Sequence, residues 1–213
     1  MATRGELTTY VLERLGVSSS RTAFKTQIQN ELYRRYVANV RKYNLSILRA
    51  DLTLTAAVYT VPLPTDWLKT RTIRVASVNL REITFELLSE IRAAANASSA
   101  AGGVISRFAL YPPSSIYLDV APDTTSATGG EIFYVNKPAA WTVDADTPAF
   151  IPDDFHDLLA EEVIYRMAMN QEEFGTHAAA ALQAVGLLSQ ELALEMKIRS
   201  GDHSNRISRA HYG

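Results

Sequence analysis

The apolar residues near both ends of the chain recur every three to four positions, as they do along one face of an α-helix. In the N-terminal part, the stripe of the segment 6–16 is Leu7, Tyr10, Val11 and Leu15, and that of 20–43 is Phe24, Ile28, Leu32, Tyr36 and Val40. In the C-terminal part, the stripe of the segment from 151 onward is Phe155, Leu159, Val163 and Met167, and that of 176–199 is Val185, Leu188, Leu192 and Met196. The pattern therefore predicts two helices at each end of the chain.

The pattern changes at about residue 50. From there to about residue 137 the chain is rich in Thr, Val, Ile and Tyr, with prolines and the pair Gly129-Gly130 as turn residues. This composition predicts strands over 52–55, 58–61, 71–78, 104–111, 116–120 and 131–136. Within this region, 84–95 resembles a short helix, and the small, polar segment 96–103 is expected to be a loop.

Together these elements predict an α+β fold. Residues 1–49 and 151–200 are expected to form a four-helix, bundle-like assembly from both chain ends, and 50–150 an inserted small antiparallel β-domain. Residues 201–213 are expected to form an extended C-terminal tail. The helix over 176–199 is apolar beyond one stripe, because Ala184, Leu187, Leu194 and Ile198 flank it. We therefore expect this helix and that over 20–43 to pack together and to contact other subunits.

Composition excludes several classes of site. Apolar residues make up 47% of the 213 positions, and the formal net charge is −2, so the chain has no overall electrostatic attraction for nucleic acid. The absence of cysteine excludes disulfides, zinc–thiolate sites and cysteine nucleophiles. No apolar stretch approaches the ~18 residues of a membrane span, and the N-terminus has no signal-peptide core, so no membrane association is expected.

No catalytic motif is visible in the sequence. The densest acidic cluster contains Asp153, Asp154, His156, Asp157, Glu161 and Glu162, with carboxylates four residues apart on a helix face. A metal site is one interpretation, but the acids also suit a helix N-terminus, whose dipole favours negative charge. A Ser-His-Asp site assembled from distant segments, as in a hydrolase, stays open. We expect no enzyme, metal or cofactor, and His156 and His177 to be helix-end or surface residues.

A basic face accompanies the second helix and carries Lys25, Arg34, Arg35, Arg41 and Lys42. It suits a solvated surface, a contact between subunits or a phosphate-binding surface. The last interpretation is the alternative function, a nucleic-acid-binding module that uses the basic face of this helix. As candidates for a ring interface we take Arg34, Arg35, Arg41, Leu188, Leu192 and Met196.

The tail is polar, basic and aromatic, without helical or strand periodicity. It suits either terminal disorder or a docking arm that orders on a partner. The candidate docking residues combine types that anchor interfaces, and they are Arg206, Ile207, Arg209, His211 and Tyr212.

The order of these segments resembles that of the head-to-tail adaptor, or connector, proteins of tailed bacteriophages. Four stretches carry the resemblance, namely 29–35 (QNELYRR), 59–67 (YTVPLPTDW), the pair 116–122 (IYLDVAP) and 132–138 (IFYVNKP), and 146–159 (DTPAFIPDDFHDLL). The proline-led start of the C-terminal helices, in the last stretch, is the most specific of them.

The resemblance implies a structural virion protein at the head–tail junction, assembled in the cytoplasm of the host bacterium. It implies a ring, usually of twelve copies, whose C-terminal segment reaches the portal protein and whose β-domain faces the tail or nozzle protein. Genomic DNA would pass through the lumen without sequence-specific binding.

Overall fold

The computed structural model describes residues 2–97, 104–111 and 115–199, and within 95–97 it describes the backbone only. Two compact units emerge from the spatial contacts. One, the helical unit, comprises residues up to 45 together with those from 138 onward, and the other, the β unit, is Ser46–Lys137. The limits of the predicted domains, 49/50 and 150/151, stay a prediction. The predicted α+β fold is confirmed.

The described residues contain five α-helices. Their bounds are Arg4–Arg14 (α1), Thr22–Tyr43 (α2), Phe85–Ala97 (α3), His156–Asn170 (α4) and Ala178–Arg199 (α5). The two predicted N-terminal helices, the two C-terminal ones and the short helix in the β-region are thereby confirmed. Short 3-10 helices precede α4, over Asp153–Phe155, and α5, over Glu172–His177. None of the described helices is long and apolar enough to cross a membrane.

Local sequence determines where the first two helices begin and end. The hydroxyl of Thr3 accepts a hydrogen bond from the backbone N–H of Glu6, whose carboxylate accepts one from the N–H of Thr3. This capping box pairs two backbone donors that the first turn of α1 would leave unpaired. Helix α2 ends where Asn44 adopts a left-handed conformation, with φ of 54°, and donates its N–H to the carbonyl of Val40.

The helical unit is organised around α4. Its buried side chains lie on more than one face, and α1, α2 and α5 all pack against it. The prediction that α2 and α5 pack together is wrong over most of their length, because each packs instead on α4. A hydrogen bond from the Tyr43 hydroxyl to the Ser189 carbonyl, at 3.4 Å, joins the C-terminal end of α2 to the middle of α5.

The described residues of the β unit form eight strands in two four-stranded sheets. The strands are Ile47–Leu54 (β1), Thr60–Pro62 (β2), Trp67–Val75 (β3), Val78–Asn79 (β4), Arg81–Glu82 (β5), Arg107–Tyr111 (β6), Ser115–Leu118 (β7) and Ser126–Asn136 (β8). The orders are β1-β8-β3-β4 and β2-β7-β6-β5, and all neighbours are antiparallel except β5 and β6. Both sheets supply side chains to one core, which includes Leu52, Ile73, Phe108, Ile116 and Ile132.

The predicted limits of several strands are wrong. The predicted strand 71–78 is two strands, because Ala76 and Ser77 take positive φ values, 49° and 66°, and turn the chain back. The glycine pair predicted as a turn lies inside β8. A Cβ on Gly129 would lie 3.0 Å from Leu54 Cδ1, so glycine allows β8 to approach β1 where their register shifts. Part of the predicted loop 96–103 lies outside the described residues.

Candidate interaction surfaces of the helical unit

Helix α5 has two apolar faces, and the described chain covers only one. Ala181 and Leu192 are fully buried. Leu187, Leu194 and Ile198 are 57%, 60% and 69% exposed, and their spacing of seven and four residues puts them on one side of the helix. At 3.6 residues per turn, Leu192 and Leu194 point in directions about 160° apart. We call Leu187, Leu194 and Ile198 the outer stripe of α5.

An acidic residue lies within the outer stripe. Glu191 follows Leu187 by four residues and precedes Leu194 by three, so it shares their side of the helix. Its side chain is exposed, and it makes no ion pair or hydrogen bond with any described residue. By contrast, Glu195 on the same helix pairs with Arg199 at 2.7 Å. The outer stripe is therefore apolar around one unpaired carboxylate.

A buried carboxylate of α2 collects three guanidinium groups. Glu31 is almost fully buried, and Arg35 approaches it to 2.8 Å, Arg166 of α4 to 3.0 Å and Arg34 to 3.5 Å. The second carboxylate nearby, Glu162, is influenced electrostatically by Arg35. Arg34 and Arg166 thus share the single negative charge of Glu31, and the surface around them keeps a net positive charge.

Glu31, Arg34 and Arg166 line an open groove between α2 and α4. Its other lining residues are mostly small or polar, namely Ala23, Thr26, Gln27, Asn30, Met167 and Asn170. The side chains of Arg34 and Arg166 are 74% and 51% exposed, so their remaining N–H donors are accessible from this groove. We call this surface the α2–α4 groove, and its donors suit a carboxylate or another anion.

The segment 138–150 is fixed to α1 and α2 through Asp144. The Asp144 carboxylate accepts hydrogen bonds from Arg4 at 2.9 Å, Gln29 at 2.9 Å and Lys25 at 3.3 Å. The hydrogen bond from Arg4, followed by that from Lys25, lowers the pKa of Asp144. Trp141 also stacks on Tyr36, with 5.2 Å between ring centroids. These contacts hold the irregular segment in place against α1 and α2, within the helical unit.

The acidic cluster at the start of α4 is divided among separate structural contacts. His156 is buried, and its Nδ1 accepts the backbone N–H of Ala2 while its Nε2 donates to the Ile151 carbonyl, both at 3.0 Å. Glu161 accepts the hydroxyl proton of Tyr10 at 2.8 Å, and burial with this hydrogen bond raises the pKa of Tyr10 to about 12. His156 is a helix-end residue, as predicted, but not a surface one. The described residues contain no acid or histidine group that could hold a metal.

The comparison with protein families concerns nearly the whole chain. A family model described as SU10 adaptor protein matches residues 2–209. The chain belongs to this family. It is therefore a structural adaptor protein of a bacteriophage and a virion component, and the adaptor associates with portal and tail proteins. The search of curated proteins found no match to the chain.

The β unit of the adaptor carries an aromatic cluster around Arg92 of α3. The Arg92 guanidinium donates to the Leu118 carbonyl at 3.0 Å and lies 4.2 Å from the ring centroid of Tyr59. Burial lowers the pKa of Arg92. Phe85 packs against Tyr111 and Tyr117 in the same cluster. These contacts fix α3 on its sheet, and we assign them a structural role.

The structure places the predicted ring residues in different environments. Leu192 is buried within the single chain, whereas Leu188 and Met196 are half-buried and Arg41 is exposed. Arg34 and Arg35 are both engaged by Glu31. Their roles in a ring stay predictions. The predicted docking residues of the tail, Arg206, Ile207, Arg209, His211 and Tyr212, lie outside the described residues.

Sequence reasoning missed three functional candidates of the adaptor. One is Glu31, whose spacing of three and four residues from Arg34 and Arg35 is a recognisable local signal for ion pairs. The second is Arg166, which is far from Glu31 in the chain and had no such signal. The third is Glu191, which was missed because an acidic residue between apolar residues of a helix is usually a solvent-exposed position.

Proposed function

We propose that the adaptor forms a ring that joins the portal vertex of the phage head to the tail and lines the DNA channel. The observation that carries the proposal is the outer stripe of α5, which exposes three large aliphatic side chains on one face of a helix already packed on its other face. Contiguous apolar surface of this kind marks a protein–protein contact. Membership of the adaptor family gives that contact its biological setting.

A ring is the assembly that this surface suits best. A copy that uses different surfaces toward its two neighbours makes head-to-tail contacts, which close by rotation into a ring. The resemblance to connector proteins implies twelve copies, with the portal protein on one side, the tail or nozzle protein on the other, and genomic DNA in the lumen. The same role places the adaptor at the head–tail junction, after assembly in the host cytoplasm.

The C-terminal tail is proposed as the portal-docking arm. Its candidate anchors are Arg206, Ile207, Arg209, His211 and Tyr212. A segment that orders on binding loses conformational entropy, so each arm binds weakly. Many arms in one ring engage together, and this avidity replaces tight single contacts.

The experiment that tests the function uses the full chain with portal-bearing, DNA-filled heads. The wild-type adaptor is expected to assemble on the heads as a ring, visible by electron microscopy. A variant that lacks residues 202–213 is expected to keep its circular dichroism spectrum and to lose attachment. A control with these twelve residues in scrambled order tests whether composition alone suffices. Normal attachment by the truncated chain would refute the docking arm, and absence of any ring on the heads would refute the function.

The nucleic-acid alternative has weaker support. Arg35 of the basic face is bound to the buried Glu31 at 2.8 Å, and Arg34 approaches the same carboxylate to 3.5 Å, so the positive charge of this face is partly neutralised. A gel shift of duplex DNA over a range of salt concentrations distinguishes the two functions. Binding whose affinity falls steeply with salt, and which Arg41→Ala weakens, would favour the alternative.

A further inference from the structure

The position of Glu191 restricts what can cover the outer stripe of α5. Leu187 and Leu194 lie one helical turn to either side of it, so a partner that buries these leucines also removes Glu191 from water. A carboxylate that is desolvated without a cationic partner costs several kcal/mol. A partner that brings a cation to this point removes that cost.

The α2–α4 groove has the complementary chemistry. Arg34 and Arg166 face it with unused N–H donors, and they share only one carboxylate, Glu31. Met169 follows Arg166 by three residues and is 62% exposed, so an apolar side chain adjoins the cation on α4. The groove thus offers positive charge for an acid, and the exposed Met169 beside Arg166 offers an apolar contact next to it.

We propose that the outer stripe of α5 docks on the α2–α4 groove of a second copy of this chain, with the Glu191 carboxylate accepting hydrogen bonds from Arg34 and Arg166. This inference rests on the proposed ring and identifies its subunit contact. The two surfaces are different, so the contact is head-to-tail, as a closed ring requires. Symmetric pairing of two outer stripes would instead place the two Glu191 side chains close together about the centre of the stripe, and their like charges would repel.

A crosslinking experiment tests the contact directly, because the chain contains no cysteine. The full chain carrying both Glu191→Cys and Arg34→Cys is oxidised under conditions in which the wild-type chain assembles, with portal protein added. A ladder of disulfide-linked multimers is expected. Glu191→Cys alone and Arg34→Cys alone are the matched controls, and neither is expected to crosslink.

A charge exchange tests the same pair without crosslinking. Glu191→Arg is expected to raise the concentration needed for assembly roughly 30-fold or more, because it puts like charges into a desolvated contact. Combining Glu191→Arg with Arg34→Glu is expected to restore assembly in part. Glu13→Arg, at an exposed position of α1, is the control and is expected to have a much smaller effect.

The outcomes separate this inference from the proposed function. Rings without a ladder above the single-cysteine controls, or normal assembly of Glu191→Arg, would overturn the contact and leave the ring intact. Efficient dimer formation by Glu191→Cys alone would show symmetric pairing and would also overturn it. No assembly of the wild-type chain, even with portal protein, would refute the ring and this contact with it.

Discussion

Two leucines on α5 allow one substitution to probe two different roles. Leu192 is fully buried within the helical unit, and Leu194, two residues later, is 60% exposed on the outer stripe. Each can be replaced by alanine, which removes the same atoms and preserves helix propensity. We predict that Leu192→Ala weakens folding of the single chain and that Leu194→Ala weakens assembly only.

The magnitudes follow from burial. A fully buried leucine replaced by alanine costs about 2–5 kcal/mol of unfolding free energy, because apolar contacts are lost and a cavity remains. An exposed leucine away from special features changes stability by about 0.5 kcal/mol or less. If a neighbouring copy covers the exposed part of Leu194, its removal costs roughly 1–2 kcal/mol per contact, since burying a whole leucine contributes about 1.5–3 kcal/mol. That corresponds to about a tenfold higher assembly concentration.

Urea denaturation and sedimentation velocity separate the two effects. Unfolding is measured at a concentration where the chain is monomeric, and assembly is measured over a concentration series. A loss of stability in Leu194→Ala as large as that in Leu192→Ala would show that the faces of α5 are assigned wrongly. Assembly of Leu194→Ala at the wild-type concentration would show that the outer stripe is not a subunit contact.

Two further substitutions test the cores of the separate units. Ile132→Ala, in the fully buried centre of β8, is expected to cost about 2–5 kcal/mol in urea denaturation, against about 0.5 kcal/mol or less for the exposed control Val78→Ala. Burial raises the pKa of Glu162, so this group favours folding below its unfolded pKa and loses that contribution as pH rises through the folded pKa. Glu162→Gln is therefore expected to raise the free energy of unfolding more at neutral pH than at acidic pH. The exposed control Glu13→Gln is expected to show no such difference.

The helices could be predicted because their signals are local. Ile28, Leu32 and Val40 repeat at helical spacing, and all three are fully buried in α2. The strands were less predictable, because their limits depend on partners far along the chain. β1 extends back to Ile47 only because it pairs with β8 up to Val135, a contact that no pattern within β1 reveals.

The candidate surfaces were predictable to the extent that they are visible along one helix. The sequence showed that α5 is apolar beyond one stripe, and the exposed part of that apolar surface is the outer stripe. The groove was not, because it needs Arg166 of α4 to meet Glu31 of α2. Likewise, the hydrogen bond from the Ala2 N–H to His156 joins residues 154 positions apart in the chain, so the burial of His156 had no local sign.

Interface residues of an assembly protein are of the same types as core residues, and only their direction on the helix separates them. The outer stripe lies roughly 120–160° around α5 from Leu192, so one neighbouring helix does not cover both. α4 covers the face that contains Leu192. The described chain does not cover the other face, and a helix that is apolar on most of its circumference is typically buried against more than one neighbour. That tendency, together with the unpaired Glu191, points to another molecule with a cationic, partly apolar surface, and the adaptor itself presents one in its α2–α4 groove.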